Sequence, residues 1–210
     1  MTVTPTEQRI AHPLTILLHP MATPTVVALY ILFSPGMISA LFPADYRWLI
    51  TALIALLTIL IPLFFLLVFK WTQLLISPQK KEKITTTHLF ITMLVCFFLC
   101  FKVLRIMGTA SLLTTSILGC TLTLFLTFLI HRKWHIAAHS AGWGSVSGTI
   151  ATLLAMQLTS GAWFFMISLL LFGLSGTAVI LLKKHTPAQV YTGYLLGFIT
   201  QLITLLLLSV

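Results

Sequence analysis

Apolar residues run through this chain in long blocks, separated by short polar islands. Seven blocks are readable, at 22 to 44, 48 to 69, 88 to 104, 110 to 130, 143 to 159, 161 to 182 and 190 to 209. Crossing a bilayer as a helix takes about 20 mainly apolar residues. Hydrocarbon offers backbone amides no water, so runs of this length predict helices that satisfy their own amides. The expected fold is an all-α, polytopic transmembrane helix bundle of about seven segments (six to seven), forming one integral-membrane domain over residues 1–210.

Breakers mark where spans kink or end: Ser34-Pro35-Gly36 in the first block, Pro62 in the second, and Gly108 between the third and fourth. The first block follows a polar, proline-rich stretch of about twenty residues and ends without a small-residue cleavage pattern, which predicts a retained span.

Composition agrees. The 210 residues are 59% hydrophobic and 7% charged, more apolar surface than a water-soluble fold of this size can hide. Cys96, Cys100 and Cys120 are odd in number and fall inside predicted spans, so they read as small core side chains, not as a disulfide or metal framework.

The formal net charge of +9 is scattered over short loops with no soluble recognition domain, which argues against nucleic acid and for anionic lipid headgroups. If all seven spans cross, one face carries Arg9, Lys70, Lys80, Lys81, Lys83, Arg132, Lys133, Lys183 and Lys184, nine of the twelve basic residues. The positive-inside bias makes that face cytoplasmic.

Candidate chemistry lies in the islands of that face. In "HRKWHIAAHSAGWGS", His131, His135 and His139 share one helical face if a helix runs through them, which suits either a metal or interfacial packing. Gly142, Gly144 and Gly148 allow close approach of a headgroup or of another helix. In "KKHTPAQV", His185 has an imidazole nitrogen able to attack phosphorus, beside Lys183 and Lys184 to offset phosphate charge. His139, at a helix start, can protonate a leaving group. "SPQKKEKITTTH" adds Lys80, Lys81 and Lys83. The three loops can close around one anionic headgroup whose tail stays in lipid, or each can be a solvated loop carrying orientation charge.

The stretches "WHIAAHSAG" and "HTPAQVYTGYLLG", supported by "ILLHPMATPT", resemble the type 2 phosphatidic acid phosphatase superfamily, whose fold is shared with vanadium haloperoxidases, and in particular its bacterial membrane members. The resemblance extends over most of the chain. It implies a helical core in which His185 forms a phosphohistidine and His139 protonates the leaving oxygen, then assists water. It places Lys83 near a basic phosphate-binding motif whose lysine-to-arginine-proline pattern is not intact here. Ala178 and Val179 stand where serine and arginine are usual, Ala137 and Ala138 where serine and glycine are usual, and Gln189 where an aspartate would orient the nucleophile.

Phosphate binding would then fall to Lys83, Lys183 and Lys184, and histidine orientation to Gln189. Lysine supplies charge but not the arginine fork, and glutamine accepts a hydrogen bond without adding negative charge. The resemblance implies a phosphorylated lipid or isoprenoid substrate, no metal or other cofactor, and a bacterial cytoplasmic membrane. The alternative is a noncatalytic lipid-phosphate-binding or structural membrane protein. A transporter is disfavoured by the lack of an inverted repeat and the near absence of intramembrane carboxylates.

Overall fold

The structure, a computed structural model, describes residues 5–76 and 81–208. The helices are α1 (Pro5–Leu17), α2 (Thr23–Phe33), α3 (Met37–Ala40), α4 (Ala44–Ala55), α5 (Ile61–Ile76), α6 (Lys81–Ile106), α7 (Ser111–His131), α8 (Ala138–Ala155), α9 (Trp163–Leu181) and α10 (Pro187–Leu208). Among the described residues the sole β feature is an isolated bridge between Gly36 and Thr159. Six stretches are long and apolar enough to cross a membrane: Ala11–Phe33, Ala44–Phe69, Thr87–Ile106, Ser111–His131, Trp163–Leu181 and Pro187–Leu208. The chain is a multi-pass membrane protein.

The fifth predicted block becomes α8, which stands apart from these six. It is rich in glycine, serine and threonine, and Ser140 through Ile150 are all buried. A helix enclosed by other helices needs no lipid-compatible surface. Its small side chains let α10, α9, α7 and α2 pack against it. A Cβ on Gly197 would overlap the Ala141 carbonyl, and one on Gly144 would overlap the Tyr194 carbonyl. Helix packing therefore accounts for the glycines of "SAGWGSVSG".

Hydroxyls stitch α8 to its neighbours, with Ser145 Oγ donating to Thr123 Oγ1 at 3.0 Å and Ser147 sharing a 3.0 Å bond with Ser168. Interhelical bonds of this kind contribute about 0.6 kcal/mol each on average in a membrane.

Two breakers act as expected and one reshapes its block. Before Pro62, residues Leu56–Leu60 widen into a π-helical turn, with the Ile61 amide donating to Leu56 O, which makes room for a ring that cannot follow a regular turn. Gly108, at φ 65°, turns the chain between α6 and α7. The first block does not run to residue 44 as one helix: α2 ends at Phe33, and Ser34 is extended ahead of Pro35. There the chain pairs with the α8–α9 connection, Pro35 O accepting from the Ser160 amide at 2.9 Å. The three cysteines are free and buried.

Candidate functional site

The C-terminal end of α7, the N-terminal ends of α8 and α10, and the turn joining α1 to α2 meet at one end of the bundle. No helix runs through His131, His135 and His139: α7 stops at His131, where its apolar block ends, and the chain resumes helical form at Ala138. The intervening loop is held by distant partners: Ala137 N–H donates to Gln189 O at 3.3 Å, and His185 Nδ1 lies 3.0 Å from His135 O. The three histidines therefore do not line one helical face. Among the described residues no group of three His, Cys, Asp or Glu side chains could hold a metal ion.

What forms instead is a cavity of about 140 Å³ lined by His19, His131, His139 and His185, with Leu89 and Phe90 of α6 on its apolar side. His139 and His185, 46 positions apart in the chain, thus border one opening. On its other flank His185 joins Lys183, Lys184 and Gln189 around an open groove of about 350 Å³. The Lys184 charge also acts on His19 and His139.

Elementary hydrogen-bond chemistry assigns the tautomers. A carbonyl only accepts, so His185 donates Nδ1–H to His135 O and keeps its lone pair on Nε2. His139 donates Nε2–H to Thr15 O at 3.2 Å, which leaves Nδ1 for chemistry. His131 is held through Nδ1 by Ile136 O at 3.3 Å. His19 is the reverse case: its Nδ1 accepts the Met21 amide at 3.3 Å, so the neutral ring carries its proton on Nε2. The His19 and His139 rings meet edge to face, 5.2 Å between centroids.

His185 is half-buried, and desolvation is the main force pushing its pKa below the ordinary 6.5. The bond to His135 O and the neighbouring Gln189 amide oppose that shift, while His131 and His135 add to it. The net effect keeps the Nε2 lone pair free at neutral pH.

The α10 start explains "HTPAQ" locally. Thr186 N–H donates to Gln189 Oε1 at 2.9 Å, Gln189 N–H reaches Thr186 Oγ1 at 3.4 Å, and Pro187 occupies the first helical position. This is a capping box with proline where a missing N–H costs nothing. The amide oxygen of Gln189 is engaged in that cap and also acts on His185, whose ring is bonded through Nδ1 to the His135 carbonyl.

Lys183 has a positive φ of 54° and ends α9 in a Schellman turn, with Lys183 N–H bonded to Ile180 O and Lys184 N–H to Val179 O. Both lysines are exposed. The side chains of Lys81 and Lys83, and Lys80 entirely, lie outside the described residues. Val179 is buried with Ala137 and Val190 in a small apolar cluster.

α8 begins at Ala138, and its N-cap Ala137 offers no side-chain bond, so the first amides and the positive end of the dipole remain beside His139. His19 is the site residue that sequence reasoning left out. Its signal was a histidine before proline in "ILLHPMATPT", which carries no chemistry until the fold sets it against His139. No family model, curated protein or solved structure matches the chain.

Proposed function

We propose that the chain is a membrane phosphatase that hydrolyses a phosphorylated lipid or isoprenoid through a phosphohistidine on His185. The observation that carries the reading is the single cavity bordered by both His139 and His185, beside Lys183 and Lys184. Its mixed lining, imidazoles on one side and Leu89 and Phe90 on the other, suits an amphipathic molecule. The resemblance to type 2 phosphatidic acid phosphatases points the same way.

His185 Nε2 attacks phosphorus, and the phosphorus–nitrogen bond forms as the bond to the lipid oxygen breaks. That oxygen takes a proton from Nδ1 of His139: burial, with the neighbouring His19, holds the pKa of the free imidazole down to about 3, so His139 takes up that proton only as the charge of the bound phosphate arrives, its Nε2–H staying on Thr15 O. Water then attacks the phosphohistidine, giving a proton to His139 and releasing phosphate and neutral His185. His19 donates Nε2–H to a phosphate oxygen as a neutral imidazole, and Lys183 and Lys184 offset charge. On this reading the site lies at one face of a bacterial cytoplasmic membrane; the positive-inside bias points to the inner face, and the resemblance to envelope lipid phosphatases is compatible with the outer one.

Purified protein should release inorganic phosphate from a panel of lipid phosphates, and His185→Ala should nearly abolish release. Equal release by the variant would reject the mechanism. A noncatalytic lipid-phosphate binder is the second reading, favoured by Val179, which is packed in an apolar cluster where the superfamily that the chain resembles usually has arginine. Phospholipid binding without turnover across the panel would select it.

A further inference from the structure

His131 shares a cavity with His19, His139 and His185 and takes no part in the chemistry proposed above. It is the last residue of α7, so it stands where the chain leaves that helix. Among the described residues no lysine or arginine lines this cavity; Lys183 and Lys184 belong to the groove on the other flank of His185. Val179, at the place of the usual arginine, is buried in an apolar cluster. Imidazoles are therefore the only described lining groups able to carry positive charge against a phosphate.

The four rings are not equivalent as cations. His185 needs its lone pair to attack phosphorus. His139 gives its proton to the leaving oxygen and so holds no standing charge. His19 accepts the Met21 amide on Nδ1 at 3.3 Å, and a second ring proton would set one N–H against another. His131 has no such conflict. Its Nδ1 faces Ile136 O at 3.3 Å, and a carbonyl accepts from the ring whether the ring is neutral or charged. Protonation at Nε2 therefore adds a second donor and breaks no bond. The position also suits a cation, because the C-terminal end of α7 presents the negative end of its dipole. The Phe90 ring of α6 lies 5.2 Å away, within the range at which an aromatic face attracts a cation.

Positive or protonatable neighbours oppose that charge until an anion is present. The His135 ring meets His131 edge to face at 4.9 Å, and His185, in the α9–α10 turn, lies close enough to feel its charge. Arg132 and Lys133 follow it in the chain, both exposed, while His139 and His19 border the cavity from α8 and the α1–α2 turn. α6 brings only apolar side chains to the cavity, and its His88 packs on Phe69.

We propose that His131, charged as an imidazolium when phosphate enters, is the cation that grips the phosphate inside the cavity and supplies the charge that arginine supplies in the superfamily the chain resembles. Nε2–H donates to a phosphate oxygen while Nδ1–H stays on Ile136 O, and the added proton comes from solvent. The inference rests on the phosphate-binding part of the proposed function, which the catalytic and noncatalytic readings share. Anion binding and proton uptake at His131 are then one event, so affinity rises as the buffer is acidified.

The test uses the full chain in nanodiscs, with isotope-labelled histidine ring nitrogens and sodium sulfate as the probe, a dianion that does not itself titrate in neutral or mildly acidic buffer. His131→Gln and His131→Lys each assign the His131 signal. Sulfate should move both ring nitrogens of His131 into the imidazolium range and leave His19 neutral. In mildly acidic buffer His131→Gln should bind sulfate about tenfold more weakly, the worth of one hydrogen bond to a charged group, and with a flatter dependence on pH than the wild type. His131→Lys, which restores a charge, should recover most of the affinity and keep the flatter dependence. A charged His131 with no release of phosphate from hexadecyl phosphate supports the inference and removes only the catalytic reading. A neutral His131 in the sulfate complex, equal sulfate affinity in His131→Gln, or no cavity histidine shifted by sulfate would overturn the inference even where hydrolysis is robust.

Discussion

Replacing Lys183 by glycine should make the protein more stable and a poorer phosphate binder at once. Lys183 holds the left-handed position of the Schellman turn that ends α9, at φ 54°, a place glycine fills without steric cost. For an L-residue that conformation costs about 1–2 kcal/mol. Its two turn bonds, to Ile180 O and from Lys184 to Val179 O, use only backbone atoms and survive the change. Lys183→Gly therefore gains about 1 kcal/mol after allowance for the greater freedom of glycine in the unfolded chain. For a chain of this length that raises Tm by about 2–4 °C. The assay is tryptophan-fluorescence melting in one detergent, with Lys183→Ala as the partner variant that keeps the strain and should not rise. Removing an exposed ammonium beside the phosphate should raise KM by about 2- to 5-fold, in line with exposed ion pairs. A Tm that stays level or falls in Lys183→Gly would refute the strain argument. An unchanged KM would remove Lys183 from the phosphate site.

Three further outcomes follow from the geometry. Gly197→Ala should destabilise the bundle by about 1–3 kcal/mol, because its methyl meets the Ala141 carbonyl, whereas Gly173→Ala in α9, with open space around it, should be neutral or stabilising; paired melts check the contrast. His19→Ala should lower kcat/KM by about 10-fold or more, the loss of a donor to a charged oxygen, while leaving both limbs of the pH profile in place; a lost limb would make His19 a proton-transfer group instead. The acid limb of kcat/KM should lie below 6.5, since desolvation lowers the His185 pKa from that value and the nucleophile stays neutral into mildly acidic buffer. The same shift means that the unfolded chain takes up a proton near pH 6.5 that the folded one refuses, so stability drops as pH falls through that region; an acid limb at or above 6.5 would contradict the burial of His185.

The spans were legible because a bilayer reads length and apolarity, both of which are local. α8 was legible as a block but not as the centre of the bundle, because its glycines and hydroxyls matter only through α10 and α7. The break after His131 falls where the apolar block ends at 130, but the way the loop closes did not follow from the pattern, since the ties that hold it, from Ala137 to Gln189 O and from His185 to His135 O, come from residues about fifty positions away. "TPAQ" held its capping box in plain view, with threonine and glutamine at the spacing that satisfies two amides. His185 and His139 could be picked out by residue type, but the cavity between them depends on how four chain segments converge. His19 joined them only through the turn at Pro20, where the ring accepts the Met21 amide and faces His139.

The account turns on phosphate passing through His185. Wild-type protein mixed with radiolabelled hexadecyl phosphate and quenched within a turnover should carry label that is stable to alkali and lost in acid, mapped to the peptide containing His185. His139→Gln, which can neither protonate the leaving oxygen nor assist the attacking water, should acquire and lose that label more slowly than wild type. Label absent from His185 while inorganic phosphate is still released, or release by His185→Ala at the wild-type rate, would contradict the account.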